Sequence, residues 1–309
     1  MSPLSGPARF GRVVTAMVTP FDDAGALDVD AAIELARWLA GHGSDALVLS
    51  GSTGESSVLS DEEKCDLWRA VASAVTIPVI AGSGSNDTDH SVKLTARAKA
   101  CGVDGVLVVT PYYNRPSQNG LYEHFSAVAD AAGGLPVTLY DIPARTGRRI
   151  AGSTLLRLAH DVPAIVALKD AAGDPAGTAH LAARAPSGFQ IYSGDDVMTL
   201  PLMSVGAVGA ISVASHWIGP QLGQVIESFL GGDLAGAIAG NAQLLDAIDF
   251  QSSEEYPNPL PAKAICRAMG HSVGQCRLPM GASSPELDAQ AAKILAAFGP
   301  PIATGQPVA

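Results

Sequence analysis

The chain has 309 residues and a mass of 31.4 kDa, with 47% hydrophobic and 16% charged residues, a formal net charge of −11 and a pI near 4.9. This is the composition of a globular chain long enough to bury a core without disulfides. The acidic balance speaks against nucleic acid as a main partner, because phosphate neutralisation needs clustered Lys and Arg. No apolar run reaches the ~18 residues needed to span a bilayer, and Met1–Arg12 holds no apolar signal core, so a cytoplasmic protein without membrane contact is expected.

In chain order, short apolar runs predict strands at Val13–Met17, Ala46–Ser50, Val79–Ala81, Gly105–Thr110, Val137–Tyr140, Ile165–Lys169, Gln190–Ser193 and Gly209–Val213. The runs are continuously apolar rather than alternating, as in parallel strands covered on both faces. Helix-like stretches such as Asp30–Ala40 and Asp61–Ala74 lie between them. Eight such units predict an α/β fold closed as an eightfold β/α (TIM) barrel. An open doubly wound sheet is the alternative. It is disfavoured because no glycine fingerprint follows the first strand. Gly82-Ser83-Gly84 after the third lacks the third glycine and reads as a tight βα turn with a cap at Ser85 or Asn86.

From His216 onward only helical periodicity appears, broken at Gly231-Gly232 and Pro257-Asn258-Pro259. That predicts a C-terminal extension of about three helices, a division into a 1–225 barrel and a 226–309 helical region, and a loose tail over Gly299–Ala309. Cys65, Cys101, Cys266 and Cys276 form no CxxC pair and no zinc spacing, and the seven histidines form no HExxH motif. No metal or other cofactor is expected, although Asp and Glu alone can hold magnesium.

Active sites of β/α barrels lie at the C-terminal ends of the strands. Five of the six lysines (Lys64, Lys93, Lys99, Lys263 and Lys293) fall in helix-like polar stretches, where a solvated charge is the default. Lys169 instead ends the apolar run Ala164–Leu168. Burial disfavours its charged form, which leaves two readings: a structural ion pair inside the barrel, or a neutral amine that attacks ketones. Asp170 follows it, but successive strand residues point to opposite faces, so a strand continuing through Asp170 turns that carboxylate away.

Tyr140 ends the preceding strand, close enough to share a substrate atom and pass a proton, or else it is a buried phenol satisfied by backbone. Gly51-Ser52-Thr53-Gly54-Glu55 makes a turn whose N–H and hydroxyl donors can face an anion, with Glu55 satisfying N–H groups inside the turn; an ordinary βα turn is the plainer reading. Arg145, after the fifth strand, can clamp a carboxylate or lie solvated on the surface. Thr110–Pro116, with Tyr112 and Tyr113 between prolines, suggests an interface, a site wall or plain packing.

Taken together, Thr15–Phe21, Gly51–Glu55, Thr110–Pro116, Tyr140–Gly147, Lys169, Ser193-Gly194-Asp195-Asp196, Gly209–Ser212 and Asn258–Pro261 resemble the dihydrodipicolinate synthase family, within the pyruvate-dependent lyases that include N-acetylneuraminate lyase. The resemblance runs over nearly the whole chain and implies condensation of pyruvate with aspartate semialdehyde, in diaminopimelate and lysine biosynthesis. It implies that Lys169 is the Schiff-base lysine and Tyr140 the proton-transferring tyrosine. Thr53 would be the relay threonine, and Ser52 stands where a second threonine is usual. Tyr113 would complete the relay in a neighbouring subunit of a homotetramer built as a dimer of dimers. Arg145 would hold the carboxylate of the aldehyde, Ile211 would lend its carbonyl near pyruvate, and Gly194 would line the substrate site.

Asp141 stands where the family more often has Asn. The Gly-Ser-Thr-Gly-Glu form also occurs in the lyase branch, while Tyr112–Pro116 and Arg145-Thr146-Gly147 are what the synthase branch shows. Another pyruvate aldolase or dehydratase, or a non-catalytic barrel paralogue, is the competing reading. Regulated members of the family bind lysine beside the tyrosine matched by Tyr112. Here Lys64 and His90, with Asp61 and Asn86 nearby, occupy the aligned positions, and weak or absent lysine inhibition is expected.

Overall fold

The structure is a computed structural model that describes residues 6–298; the tail over 299–309 lies outside the described residues. Eight parallel strands close into a barrel in sequence order: β1 Val13–Ala16, β2 Ala46–Leu49, β3 Val79–Gly82, β4 Gly105–Val109, β5 Val137–Asp141, β6 Ile165–Asp170, β7 Gln190–Ser193 and β8 Gly209–Ser212. All eight expected strands form, and β8 pairs back onto β1. The open-sheet alternative is thereby excluded.

Two apolar layers explain the continuously apolar runs. Val14, Val48, Ile80, Leu107, Ala167 and Ile211 fill the interior. Leu47, Val79, Val106, Leu139 and Leu168 face the surrounding helices. Phe10 packs into the interior cluster near the start of β4, where a Cβ on Gly105 would stand 2.9 Å from the Phe10 ring.

The outer layer comprises α1 Val29–Gly41, α2 Asp61–Ala74, α3 Thr88–Ala98, α4 Gln118–Ala131, a short α5 Pro143–Thr146, α6 Gly152–Asp161, α7 Pro175–Arg184, a short α8 Thr199–Met203 and α9 Ser215–Leu230. Ser60 and Glu63 cap α2 reciprocally, as a capping box. The cap of α3 is Asp87, which accepts from the Asp89 N–H at 3.0 Å, rather than Ser85 or Asn86. The Ser85 hydroxyl instead donates to the Asp87 carbonyl and bonds to Ser91. Gly82 and Gly84 are required by packing: a Cβ would lie 2.4 Å from the Ser50 carbonyl oxygen and 2.6 Å from the Val109 nitrogen.

Beyond the barrel lie three helices, α10 Leu234–Asp249, α11 Leu260–Ala268 and α12 Pro285–Phe298. Helix α9 kinks at Ile218, two residues before Pro220, and runs without interruption across the position 225/226.

Two lysines depart from the solvated default. Lys263 is 0% exposed in α11, and Lys64 is buried in α2 beside Asp61, Nζ to Oδ1 3.9 Å. Polar-looking helical stretches hid both: α11 is covered on nearly every face, and Lys64 is among the buried residues of α2.

Candidate active site

β5 and β6 pair in register with Tyr140 opposite Lys169 and Asp141 opposite Asp170. Alternation along each strand sends these two pairs to opposite faces. Lys169 and Tyr140 point inward at the C-terminal end of the barrel, with Lys169 Nζ 4.3 Å from the Tyr140 ring centroid. Asp170 points outward, accepting from the Ala172 N–H at 3.0 Å and from the Thr178 hydroxyl at 2.6 Å. Asp141 is buried on the same outer face and accepts from the Ile150 N–H at 3.2 Å.

The two buried lysines have opposite surroundings. Lys263 Nζ lies 2.8 Å from Glu55 Oε1 and donates to the Gln275 carbonyl at 2.9 Å. Lys169 is 5% exposed, yet among the described residues no carboxylate lies within ion-pairing distance of its amine. Burial therefore lowers its pKa to about 8, aided by the positive charge of Arg145 and opposed by the charge of Asp196. Asp196 is itself buried, one carboxylate oxygen accepting from the Val213 and Ala214 N–H groups at 2.9 and 3.0 Å. Burial pushes the Tyr140 phenol up to about 12, against the pull of Arg145 and of a hydrogen bond with Ser52. Tyr140 is thus a neutral hydroxyl at physiological pH, able to receive and return a proton but not resting as a phenolate.

A cavity of about 450 Å³ opens over Lys169, lined among others by Ser52, Thr53, Tyr140, Arg145 and Gly194. A Cβ on Gly194 would stand 2.9 Å from Lys169 Cγ, so only glycine leaves the lysine stem its path. A second cavity of about 290 Å³ adjoins it and shares Ser52, Ile142, Arg145 and Asn258. All four non-glycine residues of positive φ among the described residues follow β2 or β4: Ser50, Glu55, Tyr113 and Arg115. Such backbone costs on the order of 1–3 kcal/mol per residue and is found where surrounding structure holds a functional loop.

The structure brings Lys169, Tyr140, Ser52, Thr53, Arg145 and Gly194 to one cavity. Ile211 is buried in β8 beside them, within the interior cluster but outside the cavity lining. Tyr113 stands apart at 90% exposed and lines neither of the two cavities of its own chain. Ser52 bears on the Tyr140 phenol, and Thr53 accepts from Asn258 Nδ2 at 2.9 Å. Glu55 serves no N–H inside its own turn. It accepts from the Arg277 N–H at 2.9 Å and pairs with Lys263, which ties the turn to the C-terminal segment.

A model of the dihydrodipicolinate synthetase family matches residues 9–298. The chain belongs to this family. The 4-hydroxy-tetrahydrodipicolinate synthase of Parasynechococcus marenigrum is 47% identical over 294 residues, covering 94% of this chain and 96% of that protein. The enzyme of the same name from Acidothermus cellulolyticus is 48% identical over 295 residues, covering 95% and 94%. The crystal structure of the Cyanidioschyzon merolae family member with lysine bound superposes with a TM-score of 0.91 at 42% identity, covering 94% of this chain and 98% of that one. Dihydrodipicolinate synthetase family members are pyruvate-dependent lyases of the Schiff-base type, and the chain is an enzyme of that class.

Three contributors escaped the sequence reading. Asn258 and Asp196 were legible only as parts of motifs, with no role attached, and Lys263 carried no signal because its partner Glu55 is remote in the chain. No helix among the described residues is long and apolar enough to cross a membrane.

Proposed function

We propose that this chain condenses pyruvate with aspartate semialdehyde through a Schiff base on Lys169, the reaction that the name of its relatives describes, in diaminopimelate and lysine biosynthesis. The observation that carries the assignment of Lys169 is the contrast between two buried lysines: one is neutralised by a carboxylate at 2.8 Å, the other is left unpaired at the mouth of the barrel. A structural ion pair accounts for Lys263 and not for Lys169.

In the first step the neutral amine adds to the keto carbon of pyruvate. Water leaves as the imine forms, and its departing oxygen takes protons delivered through Tyr140. Ser52, which lines the same cavity as Tyr140, links that phenol to the next donor, and Tyr113 of a neighbouring subunit completes the line. Removal of a methyl proton gives the enamine, whose carbon attacks the aldehyde of the second substrate and forms the new C–C bond. The aldehyde's carboxylate is held by the Arg145 guanidinium. The amino group of the second substrate then attacks the imine carbon, closes the ring and frees Lys169. Thr53, Ser52 and the Ile211 carbonyl bind the pyruvate-derived part, and Gly194 leaves room for it.

The assembly proposed is a homotetramer built as a dimer of dimers, supported by the exposure of Tyr113 and of Leu278, 90% and 80%. A cytoplasmic location agrees with four unpaired, buried cysteines, since free thiols persist in a reducing compartment.

Borohydride trapping with pyruvate tests the covalent step. One pyruvate-derived adduct is expected on Lys169 and none in Lys169→Arg, because Arg stays protonated. An adduct on another lysine overturns the mechanism. Arg145→Ala is expected to lower use of the aldehyde by about 10- to 100-fold while sparing the adduct, from the loss of a charge-assisted hydrogen bond. A panel of aldehydes given with pyruvate to the untreated enzyme then establishes the second substrate; preference for a sugar-acid aldehyde overturns the assignment of aspartate semialdehyde.

A further inference from the structure

Asn258 lies between α10 and α11, outside the barrel strands, yet it touches both ends of the site. Its backbone carbonyl accepts from Arg145 Nη2 at 3.1 Å, and its side-chain Nδ2 donates to Thr53 Oγ1 at 2.9 Å. Its own N–H donates to the Ser252 hydroxyl at 3.2 Å, which fixes the residue from a third direction. Asn258 and Thr53 are 7% and 3% exposed, and both line the cavity over Lys169.

A threonine hydroxyl has one proton and two lone pairs. The Asn258 amide occupies one lone pair. Among the described residues no protein acceptor is recorded for the Thr53 proton, so that proton is free for a ligand in the cavity. The other end of the same amide, Oδ1, is buried without a hydrogen-bond partner among the described residues.

Resting on the reading of Lys169 as the pyruvate-binding amine, we propose that Asn258 is a positioning residue that holds the Thr53 hydroxyl as a hydrogen-bond donor toward the carboxylate of the keto acid. The same residue meets the aldehyde clamp through its backbone, so the two contacts are separable by mutation. Side-chain changes act on the keto-acid end, while the carbonyl that receives Arg145 survives them.

The test is borohydride trapping as a function of pyruvate concentration, with steady-state kinetics in aldehyde. Asn258→Ala is expected to raise the half-saturating pyruvate roughly 3- to 10-fold, the loss of one buried neutral hydrogen bond, with the aldehyde KM within twofold of the parent. Asn258→Asp keeps the size but replaces the donor with an acceptor, and is expected to exceed the Ala effect. Thr53→Val is expected to match or exceed Asn258→Ala, and the double variant Asn258→Ala/Thr53→Val to equal Thr53→Val alone, because Asn258 acts through Thr53. Additive single effects, unchanged pyruvate saturation, or a change confined to aldehyde KM would overturn the proposal. If Asn258→Ala melts far below the parent, the comparison rests on Asn258→Asp, and an Asp effect no larger than twofold refutes the orientation. Failure of the parent protein to form any pyruvate adduct sinks the Schiff-base reading itself, an outcome separate from all of these.

Discussion

Replacing Lys263 by Met isolates the buried ion pair that anchors the Gly51–Glu55 turn. The Lys263 ammonium lies 2.8 Å from Glu55 Oε1, with the two side chains 1% and 2% exposed. At an effective dielectric near 20 the bare attraction at that distance is about 6 kcal/mol, most of it offset by the cost of removing both ions from water. What the variant reads is the penalty of a stranded carboxylate. Glu55 keeps its bond from the Arg277 N–H but loses its only cation within ion-pairing distance among the described residues. Breaking a buried pair in this way costs roughly 3–5 kcal/mol, about a fifth or more of a typical domain's 5–15 kcal/mol.

Urea unfolding followed by tryptophan fluorescence measures the loss directly, since Trp68 and Trp217 are both fully buried. Adding Glu55→Gln to Lys263→Met removes the stranded charge while keeping an oxygen for Arg277, and is expected to recover most of the loss. Glu55 sits two residues after Thr53 with φ of 55°, so the single variant is also expected to lower turnover. A loss below about 1 kcal/mol, or a double variant no more stable than the single, refutes the argument that the pair is what holds the turn.

Four further outcomes are expected. The rate of imine formation should rise with pH through a midpoint near 8, where Lys169 sheds its proton, and level off above it; a midpoint near 10 would place the amine in an ordinary environment. Asp141 is raised by burial to about 7, so between about pH 4 and 7 the folded chain holds a proton that the unfolded chain releases, and stability falls as pH rises through that window. Asp141→Asn should abolish that slope and melt above the parent at pH 8; an unchanged melting profile from pH 4 to 8 counts against it. Calorimetric titration with lysine should show no tight binding, because Asp61 is already engaged by His90 at 2.9 Å and by Lys64 at 3.9 Å; tight binding with inhibition would refute this. Full activity in a monomer verified by light scattering would refute the shared-site role of Tyr113, for which reduced activity of the monomer is expected.

The barrel was legible because each strand is buried on both faces and so reads as an unbroken apolar run. The strand ends were read to within a residue because polar groups resume where the loops begin. Lys169 was legible for the same reason: a charge closing a buried run is costly, and cost is visible in a sequence. What escaped were pairings across long chain separations. Thr53 and Asn258 are 205 residues apart, and Glu55 and Arg277 are 222 apart. No local pattern encodes that Lys263 meets Glu55, and on a helix covered from all sides a lysine reads as solvated. The surroundings of Ser52 and Thr53 were hidden differently. Neighbouring turn residues point in directions fixed by backbone angles, and Ser50 and Glu55 at both ends of the turn adopt left-handed φ.

The register of β5 against β6 decides what surrounds the Lys169 amine. Each strand ends with an uncharged or basic side chain facing in and a carboxylate facing out: Tyr140 and Lys169 toward the cavity, Asp141 and Asp170 toward α6 and α7. Had the alternation fallen one residue later, Asp170 would enter the barrel, and a carboxylate beside the amine would favour its charged, non-nucleophilic form. Instead Thr178 and the Ala172 N–H hold Asp170 on the outer face, and the sheet stands between it and Lys169. The negative charge that does bear on the amine comes from Asp196, whose one carboxylate oxygen is held by two backbone N–H groups after β8. Lys169 is thus kept from a direct ion pair by strand alternation and moderated at a distance by a fixed carboxylate. That combination leaves its pKa near 8 rather than near 10.5 or far below neutrality.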